Sequence, residues 1–561
     1  MHRRILSVLI TILGLYTLTE AQTYKYWITF KDKSNSPYSV SYPQQFLTQR
    51  SLQRRLNQGI QIDFKDIPVN NWYIDTLKNR GFAVLHASRW FNSVAIQSND
   101  TNAVNALLSI PFVDKITLLY NANSKKKKRG KKEGNSIAFT NTQTSKNQKV
   151  AKSANSRNTI NYGNAYRQIE MLKGEMLHNQ GFQGQGMVIA VLDAGFWKVD
   201  TMSAFDSLWK SGQILGVRDF VETNGNVFQK STHGQMVLST MGANVPGSMV
   251  GTAPKASYWL LRSEDATSEY PIEEANWAVA AEFADSVGAD IINSSLGYTY
   301  FDDLLFGHEY AEINGKTAIG SKAAAIAAAK GIIVVNSAGN SAQQQWRYIG
   351  VPADADNILT VGAVNENMEW APFSSIGPTA DGRVKPDVAA MGVATIVATD
   401  NGYIPGNGTS FASPVLAGMV ACLWQANPTL SNMQIINAVK RSANQYTSPD
   451  SLLGYGVPDF NLANILLTSG EKGDMENKHL TALPNPFTDY LQVIYESGNS
   501  QTASMELYSC SGKKLWERTQ LSIKSGFNNY YLNDLTSISK GIYILVFKTD
   551  TKIYHQKVIK M

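Results

Sequence analysis

Three side chains that together can carry out acyl transfer stand at telling places in this chain: Asp193, His233 and Ser410. Asp193 ends the apolar run "VIAVLDAG", and Gly195 behind it permits a sharp turn at the strand's end. His233 opens "THGQMVLSTMGA", a segment patterned as the start of a helix. Ser410 lies in "GNGTSFASPVLAGMVACLWQ", a Gly-rich turn running into an apolar helix. Pro414 is expected in the first turn of that helix, where its missing N–H costs little. Singly, each has an ordinary reading: a turn former, an exposed histidine, a helix N-cap. Together they supply an orienting carboxylate, a base that titrates near neutrality and a hydroxyl nucleophile that needs that base. Asn340, just beyond the run "VVNSAGN", offers an amide donor for a developing oxyanion. The backbone N–H of Ser410, at a helix N-terminus, is the second donor.

The elements that must hold these groups are legible as a pattern. Over residues 162–468, short apolar runs ("GMVIAVLDAG", "ADIINSSLG", "GIIVVNSAGN", "NILTVGAV") alternate with helical stretches ("PIEEANWAVAAEFADSVG", "SKAAAIAAAKG"). Continuous apolar strands joined by helical crossovers predict an α/β fold: a parallel sheet with helices on both faces. Ahead of it, residues 22–120 mix strands ("YKYWITF", "FAVLHAS", "FNSVAIQS", "VDKITLLY") with helices, including one over "PQQFLTQRSLQRRLNQG". This predicts a small α+β domain with helices on one face of a sheet. Residues 480–561 carry aromatic and β-branched strands with Ser-Gly and Thr-Asp turns, the mark of a small antiparallel β-sandwich. Polar linkers separate the three at 121–161 and 469–479.

Charge argues against nucleic acid as a partner. The net charge is +6, but residues 121–160 alone contribute +10, seven of their Lys and Arg falling between 125 and 132. The rest of the chain is mildly acidic, so no basic face is spread over a fold. The N-terminus "MHRRILSVLITILGLYTLTEAQ" reads as a secretory signal peptide over 1–21, cut after Ala21. No later run reads as long and apolar enough to span a membrane. The two cysteines, Cys422 and Cys510, fall in different domains and read as small buried apolar residues, not as a disulfide. Seven scattered His and two Cys give no zinc spacing, so no metal site is assigned. Asp302 and Asp303 read as a solvated surface or a substrate-side insertion in a loop, and "GFQGQG" precedes a strand, unlike a phosphate-binding loop.

The segments "VLDAG", "THG", "INSSLG", "SAGN", "KPDVAA" and "GTSFASP" occur in the order found in the subtilisin-like serine proteases, and over about 165–465 the chain resembles that family. The order Asp, His, Ser is the one already known for subtilisin. The resemblance implies a secreted serine endopeptidase in which Asp193 orients His233, His233 serves Ser410, and Asn340 supports the oxyanion. It also implies that Ser295, Leu296 and Gly297 pair with substrate backbone and line the P1 pocket together with Ala338 and Gly339. Three departures from the family pattern stand out: Ala194 where Ser or Thr usually follows the catalytic Asp, "HGQMV" after the His, and Phe411 after the Ser. Residues 22–120 look like the family's inhibitory prodomain, which makes the protein a zymogen. The C-terminal domain, through "LPNPFTDYLQV", "LYSCSGKKLWE" and "SKGIYILVFKTDTKIYHQKVIK", resembles the sorting domain of Bacteroidetes proteins exported by the type IX secretion machinery. The protein is therefore expected as a monomer, at the cell surface or released across both membranes of a Gram-negative cell, acting on protein or peptide substrates. No cofactor is required for the chemistry; many subtilases hold structural calcium, but no loop here locates a site. The alternative is a catalytically weak or inactive homologue serving as a surface binding protein.

Overall fold

The computed structural model describes residues 23–122, 160–468, 480–533 and 535–561. The signal peptide, the core of the 121–161 linker and the 469–479 linker lie outside the described residues.

At the centre is a seven-stranded sheet in the order Val388–Met391, Leu359–Val364, Ile333–Ser337, Ile291–Ser294, Val188–Asp193, Ser257–Arg262, Ile214–Asp219. All neighbouring pairs are parallel. Every residue of the four strands 188–193, 291–294, 333–337 and 359–364 is buried. That explains why they read as unbroken apolar runs: both faces of the sheet are covered. Ile189 and Val191 face one core, with the helices His233–Gly242 and Thr409–Ala426. Val188, Ala190 and Leu192 face the other, with Ile272–Val287 and Ile319–Ala329. After strand 188–193 the chain crosses to the edge strand 214–219, fills in 257–262 between them, then passes to 291–294 and builds outward on the other side. The switch point therefore falls between these two strands, where open α/β sheets place their ligands.

Helix Thr409–Ala426 corrects one expectation, because it is long and apolar enough to cross a membrane. Its residues from Thr409 to Trp424 are buried inside the domain, so it is the core helix on which the sheet packs.

The N-terminal domain is a four-stranded antiparallel sheet, ordered Ala83–Ser88, Ser93–Ser98, Tyr24–Phe30, Val113–Asn121. Tyr26, Ile28 and Phe30 pack on its own helices through Tyr73, Leu77 and Val104. From the opposite face Trp27, Ala95 and Leu119 join the core around helix Ile272–Val287. The single helix expected over 43–59 is instead a 3-10 turn, Pro43–Gln45, and a helix, Gln49–Asn57, capped by Thr48.

The C-terminal domain closes a three-stranded and a four-stranded antiparallel sheet over Phe487, Leu491, Val493, Met505, Leu545 and Phe547. Cys422 is buried as expected, but Cys510 is exposed, because it sits on the hairpin turn between Gln501–Ser509 and Lys514–Ile523. Asp303 corrects another expectation: its own side chain is buried, accepting from the N–H of Leu305 at 3.0 Å, although Leu305 beside it is exposed.

Candidate active site

Asp193 closes its strand at the switch point with no exposed surface. Its Oδ1 accepts from His233 Nδ1 at 2.8 Å and from the N–H of Ala194 at 2.8 Å. The approach depends on two glycines. A Cβ on Gly234 would meet Asp193 Cβ at 2.8 Å, and one on Gly195, at φ +149°, would meet Ser231 N at 2.4 Å. Burial pushes the His233 imidazole down, but the charge and hydrogen bond of Asp193, with the charge of Glu264, hold it above the ordinary 6.5. With Nδ1 committed to Asp193, Nε2 is the nitrogen left for a nucleophile. The ring packs 6.4 Å, centroid to centroid, from Phe411, the neighbour of Ser410.

Ser410 lies in the first turn of its helix, where backbone N–H groups have no intrahelical acceptor. Its Oγ donates to the carbonyl of Ser295 at 3.4 Å, a long bond that leaves the hydroxyl easily redirected. Pro414 departs from expectation here, sitting inside the helix beyond the first turn. A residue with an N–H at 414 would donate to the Ser410 carbonyl. Ser295 Oγ occupies that acceptor instead, at 2.9 Å, which removes the penalty and ties the start of the helix to the end of strand 291–294. Ser413 adds a second tie, donating to Asn293 Oδ1 at 3.0 Å.

Asn340 follows strand Ile333–Ser337. Its Oδ1 accepts from both the N–H and the hydroxyl of Thr409, at 2.9 and 3.0 Å. This fixes the amide orientation and leaves Nδ2 as the end that Thr409 does not engage. The Thr409 hydroxyl in turn accepts from the N–H of Gly339 at 3.1 Å. The helix therefore has no side-chain N-cap of its own, and Asn340 caps it from another strand. Sequence reasoning misses Thr409, although its place in "GTS" beside Ser410 is the signal that could have found it.

Ser295, Leu296 and Gly297 run on from strand 291–294 outside any ladder. Ser295 and Leu296 are buried and Gly297 is exposed, with the Leu296 carbonyl held by Asn336 Nδ2 at 3.1 Å. Ala338 is tied to Val361 at 2.9 Å, and Gly339 adopts φ +105°. The ends of strands 188–193, 291–294 and 333–337 thus bring Asp193, Ser295, Asn340 and their neighbours to one rim of the sheet, against the starts of the His233 and Ser410 helices. The missing hydroxyl at Ala194 leaves a mark, since Asp193 Oδ2 is buried without a hydrogen-bond partner. Among the described residues no three His, Cys, Asp or Glu side chains cluster as metal ligands.

Residues 184–456 match the model of the Subtilase family, 25–135 the Peptidase S8 propeptide domain of Bacteroidota, and 481–561 the secretion system C-terminal sorting domain. Subtilisin DY of Bacillus licheniformis is 30% identical over 294 residues, 51% of this chain and 92% of that protein. Subtilisin NAT of Bacillus subtilis subsp. natto is 31% identical over 280 residues, 49% of this chain, which spans 65% of its length. Among solved structures, MycP1 from Mycobacterium smegmatis aligns at 23% identity with a TM-score of 0.40, over 53% of this chain and 84% of that one. The sorting domain indicates export by type IX secretion to the cell surface or the extracellular space. The chain belongs to the subtilase family.

Proposed function

We propose that the protein is a secreted serine endopeptidase made as a zymogen, acting through Ser410, His233 and Asp193. The observation that supports this most is the 2.8 Å bond between His233 Nδ1 and Asp193, with the His233 ring 6.4 Å from that of Phe411, the neighbour of Ser410. In this reading Ser410 Oγ attacks the scissile carbonyl carbon as His233 Nε2 takes its proton. The oxyanion is met by Asn340 Nδ2 and the Ser410 N–H. His233 then gives the proton to the leaving amine, and a water activated by the same nitrogen hydrolyses the acyl-enzyme. Ser295, Leu296 and Gly297, with Ala338 and Gly339, receive the substrate's backbone and P1 side chain. The domain at 22–120 acts as the inhibitor of its own enzyme, and the type IX secretion machinery is the partner of the sorting domain. No cofactor takes part, and structural calcium is left without a site.

The test compares wild type with Ser410→Ala by intact mass and N-terminal sequencing after purification. Wild type is expected to lose everything up to the linker, while Ser410→Ala keeps its N-terminal domain. Identical processing of the two would contradict self-cleavage.

A further inference from the structure

Helix Gln49–Asn57 has an inverted burial pattern: its buried residues are Ser51, Arg54 and Arg55, while Leu56 is exposed. A helix that turns its charges inward makes sense only against a partner of opposite charge. That partner is the peptidase domain. Asp285, with no exposed surface, takes Arg54 at 2.5 Å and Arg55 at 2.6 Å from the helix, and Arg89 at 2.6 Å from the adjoining sheet. Arg50 pairs with Asp290 and donates to the carbonyls of Gly288 and Gly186 at 2.9 and 2.8 Å. Gln58 donates to the Gly331 carbonyl at 2.9 Å and accepts from the Asn432 N–H at 2.9 Å. Lys330 answers from the peptidase side, reaching Asp63 at 2.8 Å and Asp66 at 3.0 Å.

These contacts have a common location. Gly186, Asp290 and Gly331 precede strands 188–193, 291–294 and 333–337, so the helix grips the sheet at the edge where its strands begin. The catalytic groups lie where the same strands end, roughly 17 Å away along strand 188–193. Two glycines make room: a Cβ on Gly288 would meet Arg50 Cβ at 2.7 Å, and one on Gly331 would meet Gln58 Nε2 at 2.7 Å.

We infer that helix Gln49–Asn57 is a second anchor, which keeps the N-terminal domain bound to the peptidase domain after the linker is cut, independently of the catalytic cleft. The occupant is this chain's own residues 22–120. The second anchor rests on the proposed zymogen reading only in that the linker is cut somewhere. Release of the domain then needs this distal grip to fail, not merely the cleft to empty.

The test uses full-length Ser410→Ala with the run 125–132 replaced by the recognition sequence of a site-specific endoprotease. Loss or presence of the protein's own activity therefore cannot affect the result. After cutting, the N-terminal domain should co-elute with the peptidase domain on gel filtration. Arg54→Gln/Arg55→Gln should speed its dissociation by at least about a hundredfold, since each buried pair loses a partner. Should that double variant not fold, Arg50→Ala, whose side chain is 41% exposed, should speed release about tenfold. Immediate loss of the domain from the cut parent, or dissociation unchanged in the variants, would overturn the second anchor.

Discussion

The central sheet has two edges of opposite character. Where its strands begin, full charges are buried in ion pairs: one carboxylate, Asp285, serves three guanidinium groups. Where they end, the groups around Ser410 are loosely engaged. Asp193 Oδ2 has no partner, Ser410 Oγ makes one long bond of 3.4 Å, and Asn340 Nδ2 is not held by Thr409. One edge is held by buried charge pairs, and the other carries a hydroxyl and an amide N–H that are only lightly engaged. Damage at the two edges should therefore separate: rate falls at the catalytic edge, stability at the other.

The largest effect expected is on rate. Ser410→Ala should lower kcat about a million-fold, the size known for subtilisin, with little change in thermal unfolding of the mature protein. Next is stability. Asp285→Ala in the uncleaved Ser410→Ala chain strands the buried guanidinium groups of Arg54 and Arg89, leaves Arg55 only Asp66, and should cost about 3–5 kcal/mol, read as a lower unfolding midpoint. Asn340→Ala should lower kcat about 10²–10³-fold, again the subtilisin figure, with a smaller change in KM. A normal kcat in Asn340→Ala would break the comparison at the catalytic edge, as an unchanged midpoint in Asp285→Ala would at the other.

Two smaller effects concern proton position. His233 must be neutral to act as a base, and Asp193 holds it above 6.5 against the pull of burial. The acidic limb of kcat/KM should thus lie above pH 6.5, with activity rising as pH passes through the raised value. Asp193→Asn removes the main charge that raises it, so in the residual activity the limb should move down. The smallest effect belongs to Ala194→Ser. A hydroxyl donating to Asp193 Oδ2 would steady the carboxylate and weaken its hold on the His233 cation, moving the limb slightly toward 6.5.

The strand-end edge, with the proposed catalytic groups, could be located in the sequence because those groups sit at junctions with strong local signals. Asp193 ends an apolar run, His233 opens a helix and Ser410 follows glycines. What those signals leave out is who answers whom across the fold. That Ser295 satisfies the carbonyl freed by Pro414, or that Asn340 caps the helix of Ser410, depends on contacts more than sixty residues apart in sequence. The opposite edge was harder still. "QRSLQRRLN" gives no hint that its arginines are buried, because burial is imposed by Asp285, some 230 residues later. Asp303 and Cys510 misled for a different, local reason: composition suggests exposure or burial, but the turn each sits on decides it.

The most direct test of the central claim is labelling by a fluorophosphonate probe once the N-terminal domain has been removed. The reagent forms a covalent bond only with a serine oxygen that a neighbouring base activates. Mass spectrometry should find the label on Ser410 in the wild-type protein and essentially none in His233→Ala. An unlabelled Ser410 in the folded, domain-free wild type, or equal labelling with and without His233, would contradict it.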